Sequence, residues 1–210
     1  MRSSSMTMTK AERTKQFILE KAAVLFNQNG YAGTSMDDIM KATGLSKGAL
    51  YGNFRSKDEI AVAAFERAVA IVSAEVRERT RVIEHALDKL KAVVYFYKER
   101  ILNPPVEGGC PIQNTSVEAD DGHPELREKA QQAMTMWTNR IVITLQKGIE
   151  KGEVRPDADK SGFAIRFIGT LEGGIMMARL YKDVHYFDVM SRQLIEMIDG
   201  LRQQTVVQEP

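Results

Sequence analysis

One cysteine, Cys110, among 210 residues leaves no pair for an intrachain disulfide framework, and that scarcity points to a reducing compartment, the cytoplasm. No apolar run approaches the roughly 18 residues a membrane-spanning helix needs, so no membrane partner is expected. The opening residues, MRSSSMTM, lack an apolar signal core, and Met1, Met6 and Met8 each offer a start. His85, His123 and His185 stand singly, without the spacing of metal ligands, and no serine occupies a nucleophile elbow. Neither a metal, a cofactor nor a catalytic group is expected, which argues against an enzyme. Strand-like alternation and internal repeats are also missing. Net charge is nearly missing too, at +1, but it is unevenly spread. Residues 1–57 hold nine Lys or Arg against four acids, which leaves +5 there and −4 on the rest. Such a split suits a head that meets a polyanion and a body that repels it, although a solvated basic face gives the same count.

What is present is helical throughout. Thr9 with Glu12 forms a capping box opening a helix to about Asn29, with Ile18, Ala22, Leu25 and Phe26 as its stripe and Gly30 as its stop. Ser56 with Glu59 opens a longer helix toward Arg79. Further helices are expected from about Ile83 to Leu102, Gln113 to Glu118, Pro124 to Lys151, Asp157 to Lys182 and Tyr186 to Arg202.

Between the first two boxes lies the segment with most to say, TSMDDIMKATGLSKGALYGNF, from Thr34 to Phe54. Ser35 and Asp38 cap one short helix, Gly44 ends it where a left-handed residue is wanted, and Ser46 caps the next. Ile39, Leu45, Leu50 and Phe54 fall on the inside of this two-helix corner. Lys47, Gly48, Tyr51 and Asn53 fall largely outside, with the composition of a nucleic-acid surface.

The run FILEKAAVLFNQNGYAGTSMDDIMKATGLSKGALYGNFRSKDEI is similar to the N-terminal domain of the TetR family of bacterial transcriptional regulators. The resemblance implies an all-α fold of about nine helices: a three-helix DNA-binding domain with a helix-turn-helix, and a helical effector-binding and dimerisation domain. On this chain that gives a tail at 1–9, a DNA-binding domain at 10–56 and a body at 57–205. The function implied is a repressor that holds a palindromic double-stranded operator as a homodimer and is released by a small-molecule effector. Two alternatives stay open: a thiol-switched repressor, and a helical binding or enzymatic protein with a vestigial head.

DNA geometry puts residues 46–53 in the major groove, beginning at Ser46, with Lys47 donating to guanine or phosphate, Gly48 permitting close approach and Ala49 touching a thymine methyl. The resemblance assigns phosphate contacts to Ser35, Thr43, Tyr51 and Lys57, with Thr34 at the same edge. A Tyr51 ring packed on the first helix is the competing reading. Gly52 and Asn53 stand where relatives often carry an aromatic or histidine pair, so the family's contacts are not carried over at 52, and only the polar role is at 53.

Dimer-face candidates are the apolar stripes of the last two helices, among them Phe163, Phe167, Leu171, Ile175, Met190, Leu194 and Met197, which could equally face their own core. Effector-pocket candidates are Tyr95, Phe96, Met134, Trp137, Met176, Met177 and Tyr181, with Gln113, Asn114, Arg140 and Glu172 as polar anchors; plain core is the competing reading. Cys110, between Gly109 and Pro111, is a redox candidate if the loop exposes it and a small buried apolar residue if not.

Overall fold

The computed structural model describes residues 8–203, which leaves Met1 and Met6 and the last residues of the body outside the description. The described residues are all-α apart from one isolated bridge between Val154 and Arg202. Nine helices follow in order among them: α1 (Lys10–Asn29), α2 (Met36–Thr43), α3 (Lys47–Tyr51), α4 (Lys57–Thr80), α5 (Ala86–Arg100), α6 (Pro111–Gly122), α7 (Pro124–Glu150), α8 (Lys160–Tyr181) and α9 (Val184–Asp199).

Capping chemistry sets most of these starts. The Thr9 hydroxyl accepts from the Glu12 amide at 3.2 Å while Glu12 accepts from the Thr9 amide at 2.7 Å. The Ser35 and Asp38 pair repeats this reciprocal arrangement at α2, and its hydrogen bonds hold the Asp38 carboxyl below its ordinary range. Ser56 caps α4 through the Glu59 amide, but the Glu59 carboxylate reaches one residue further back, to the Arg55 amide.

Four helices depart from the boundaries that the sequence suggests, among them α9, which runs from Val184 to Asp199 instead of Tyr186 to Arg202. α5 begins at Ala86 instead of Ile83, because its first amide donates to the Glu153 carboxylate from the loop after α7, a cap no local pattern reveals. α6 is twice as long as expected, starting at Pro111, which needs no amide partner in a first turn. α8 is capped by Asp159, whose side chain accepts from Gly162, while Asp157 pairs with Arg155.

Ile18, Ala22, Ile39, Leu50, Phe54 and Ile60 bring α1 to α4 around one core. A second core fills the body, where Leu87, Leu145, Phe167, Leu171, Phe187 and Leu194 join α5, α7, α8 and α9. A third cluster, with Ala61, Phe65, Cys110, Ile112 and Leu126, packs α4, α6 and α7 between them. α4 therefore serves the first and third cores with one continuous rod. Among the described residues no helix is long and apolar enough to cross a membrane.

Candidate nucleic-acid interface and effector cavity

The corner between α2 and α3 is built by glycine and buried apolar groups. Gly44 adopts φ 68°, and its amide donates to the Met40 carbonyl at 2.8 Å, closing α2 as the chain turns away. Ser46 accepts from the Ala49 amide and opens α3. Ile39, Leu50 and Phe54 are buried and Leu45 half-buried, each fully buried side chain contributing about 1.5–3 kcal/mol toward fixing the angle between the helices. Held this way, α3 turns Lys47, Gly48 and Tyr51 to solvent with Ala49 half-buried beside them. The Lys47 ammonium lies 6.0 Å from the Tyr51 ring centre, and a Cβ at Gly48 would meet nothing within 4 Å. One edge of the corner is thus cationic, polar and open.

Other candidate contacts are committed elsewhere. Thr34 is 1% exposed and its hydroxyl donates to the Gly30 carbonyl at 2.8 Å, so it braces the turn after α1 instead of facing outward. The Lys57 ammonium donates to the Tyr31 and Thr34 carbonyls at 2.9 and 3.1 Å and sits 3.9 Å from the Tyr31 ring centre, leaving it one donor for any phosphate. The Asn53 amide donates to the Ala49 carbonyl. Ser35 and Thr43 are engaged in local caps, although both hydroxyls keep acceptor capacity near the surface.

Sequence reasoning missed the joint behind this edge. Glu118 of α6 accepts from the Tyr31 and Ala32 amides at 2.6 and 2.8 Å, gripping the turn that leads into α2. Asn114 donates to the Asn27 carbonyl at 3.0 Å, and Asn27 donates to the Glu107 carbonyl at 2.8 Å. The Tyr31 hydroxyl donates to Asp58, which pushes the phenol up to about 12. His123 caps α7 by accepting at Nδ1 from the Leu126 amide, which leaves Nε2 to donate toward Asp58. Gly30 is the one local signal: a Cβ there would lie 2.6 Å from the Glu118 carboxylate.

Two cavities flank α6. One of about 250 Å³ lies at the joint, between Phe26, Tyr31, Phe65 and Leu126. The larger, about 380 Å³, lies in the body among α4, α5, α6 and α7, lined by Val72, Tyr97, Ile112, Trp137 and Arg140 with one contribution from α8, Phe167. Trp137 and Arg140 thus reach it, but the other pocket candidates do not. Tyr95, Met176 and Tyr181 point to solvent, Met177 is half-buried on α8, and Phe96 is packed edge-on against Tyr97. Met134 packs into the cores, Gln113 donates to the Glu172 carbonyl and Asn114 belongs to the joint. Tyr97, two residues on from Tyr95 and stacked on Trp137 with ring centres 6.1 Å apart, takes the place expected of Tyr95.

Glu172 is 7% exposed and neither carboxylate oxygen has a hydrogen-bond partner among the described residues. Burial pushes its carboxyl up to about 7, offset in part by the neighbouring Cys110 thiol. Cys110 is buried as the residue capping α6 by its backbone, and burial with the Glu172 charge pushes the thiol well up. That environment suppresses the thiolate, the opposite of what a reactive cysteine requires.

The dimer-face candidates are corrected by the same burial. Phe163, Phe167, Leu171, Ile175 and Leu194 all point into their own core, and Met190 and Met197 are half-buried beside it. α8 exposes a second stripe instead: Ile165 (67% exposed), Gly169, Met176 and Leu180 (72%), and Val189 of α9 is exposed as well.

Comparison with known proteins covers most of the chain. Residues 18–64 match the sequence profile of the bacterial regulatory proteins of the tetR family, and residues 86–194 match that of the tetracyclin repressor-like C-terminal domain. A TetR transcriptional regulator from Chloroflexus aurantiacus is 36% identical, with TM-score 0.90 over 94% of this chain and 100% of its own. A TetR-family regulator from Cytophaga hutchinsonii is 35% identical, with TM-score 0.87 over 95% and 100%. An uncharacterized HTH-type transcriptional regulator of Mycobacterium tuberculosis is 27% identical over 88% of this chain and 93% of its own.

Proposed function

The chain belongs to the TetR family of bacterial DNA-binding transcriptional regulators, and from that premise we propose that it is a repressor, holding a near-palindromic operator as a homodimer and released by a small molecule bound in the body. The observation that carries this reading is the position of α6. Its first turn, with Pro111 and Ile112, walls the larger cavity, while Asn114 and Glu118 further along it hold the end of α1 and the turn into α2. A ligand that displaces the first turn pulls on the helix-turn-helix through hydrogen bonds, and α4 carries the same displacement along its own length.

One head offers too few base contacts for useful affinity, so two copies are needed. In that dimer the exposed stripe on α8 is the shared face, and the two α3 helices sit about 34–36 Å apart, one turn of duplex. The effector acts by favouring a conformation with a different spacing, which needs a coupling of only about 1–3 kcal/mol. A reporter promoter carrying the selected operator tests the regulatory sign: expression of the protein is expected to lower transcription. A rise on expression would make it an activator and contradict the proposal.

A further inference from the structure

Arg77 of α4, Lys89 of α5 and Arg140 of α7 line the larger cavity, and no aspartate or glutamate does. None of the three forms an ion pair among the described residues, although nearby bases on the same helices do: Arg79 with Glu99, Arg100 with Glu75, Lys91 with Asp199 and Lys98 with Asp188. α4 and α7 run in the same direction, tied by Lys129 and Glu66, and eleven residues further along each helix stand Arg140 and Arg77. Arg77 and Arg140 therefore stand level on two walls of the cavity, both exposed, with the half-buried Lys89 on the third. Three like charges with no acid among them leave an unneutralised positive potential beside an apolar space walled by Val72, Ile112, Trp137 and Phe167. An anion there neutralises that potential and supplies the acceptors that the planar guanidinium groups lack.

We infer that the cavity selects an amphipathic carboxylate: the carboxylate held by Arg77 and Arg140 with Lys89 adding charge, and an acyl or aromatic body lying against Trp137 and the aliphatic wall. The inference rests on the reading of this cavity as the effector site and deepens it. Glu172 lies outside the lining, beside Cys110, so it supplies no acid to the cavity wall.

Trp137 is the only tryptophan of the chain and faces the cavity, so its fluorescence reports occupancy directly. The full-length protein is titrated with decanoate, 1-decanol and decylammonium, and by calorimetry with naphthalene-2-carboxylate and its alcohol and ammonium counterparts. At least one of the two acids is expected to bind about tenfold or more tightly than its own alcohol, and the cation most weakly. The double substitution Arg77→Gln with Arg140→Gln is expected to bring acid affinity down to that of the alcohol while leaving the alcohol unchanged, which also shows that the variant folds. Equal affinity across the charge series, preference for the cation, no binding by any of the six probes, or indifference to the double substitution overturns the inference. Acid-selective binding that leaves operator affinity unmoved supports the ligand class and counts instead against the effector reading.

Discussion

Gly48 separates two demands on one residue, helix stability and access for the duplex. A side chain added there meets nothing in the protein, and glycine is a poor helix former, so Gly48→Leu is expected to leave folding intact or slightly improved. If the backbone of α3 comes close to DNA at that point, the same change costs at least about tenfold in operator affinity, roughly 1.4 kcal/mol, read by fluorescence anisotropy beside a urea titration. Unchanged affinity would move the contact away from Gly48. Lys47→Ala belongs to the same test and is expected to weaken operator binding by about 1–3 kcal/mol if it reads a base. Glu172 has a sign that can be worked out in advance. Its carboxyl titrates near 4.5 when unfolded and near 7 when folded, so the folded chain binds the extra proton between those values. The stabilising protonated form is fully present below about pH 4.5 and is lost as pH rises through about 7, a loss of roughly 3 kcal/mol. Glu172→Gln should erase that decline, so urea midpoints of the variant relative to the native chain rise from pH 5 to pH 8. Parallel midpoints across that range would show that the carboxylate finds a partner in solution.

At the scale of the helices, the sequence was most legible where chemistry is local. Thr9 with Glu12 and Ser35 with Asp38 announced their helices because each box closes within four residues, and Gly44 announced the corner because only the left-handed region ends α2 there. The start of α5 was hidden because its cap comes from Glu153, 67 residues away. The faces of α8 were hidden for another reason. Apolar residues occupy both its buried side, at Phe163, Phe167 and Leu171, and its exposed side, at Ile165, Met176 and Leu180, so periodicity alone could not say which stripe the chain keeps for itself. The larger cavity was partly legible, since Trp137 and Arg140 carry a recognisable mix of aromatic and charge, but its wall depends on how α4, α5 and α7 pack. Glu118 carries a consequence of its own at this scale. Removing its carboxylate in Glu118→Ala leaves the Tyr31 and Ala32 amides to water and frees the turn from α6. Stability is expected to fall on the order of 1 kcal/mol, and effector response should fall further, because α6 loses its grip on the head. An effector response equal to that of the native chain would place the coupling in α4 alone.

For the whole molecule, the exposed stripe on α8 and the helix-turn-helix form one claim, because a recognition helix of five residues needs a twin. Leu180→Glu puts a charge where the second copy would pack, and is expected to yield a folded monomer by analytical ultracentrifugation that no longer holds operator DNA. A dimer that survives this change would use some other face. The central claim is tested most directly by selecting bound sequences from random duplex DNA with the purified protein and then titrating the winner across a range of salt concentrations. The account predicts an enriched near-palindrome with half-sites one helical turn apart, and about four to eight phosphate contacts giving a log-log salt slope of about −4 to −7. No enriched sequence, or a slope near zero, would contradict it.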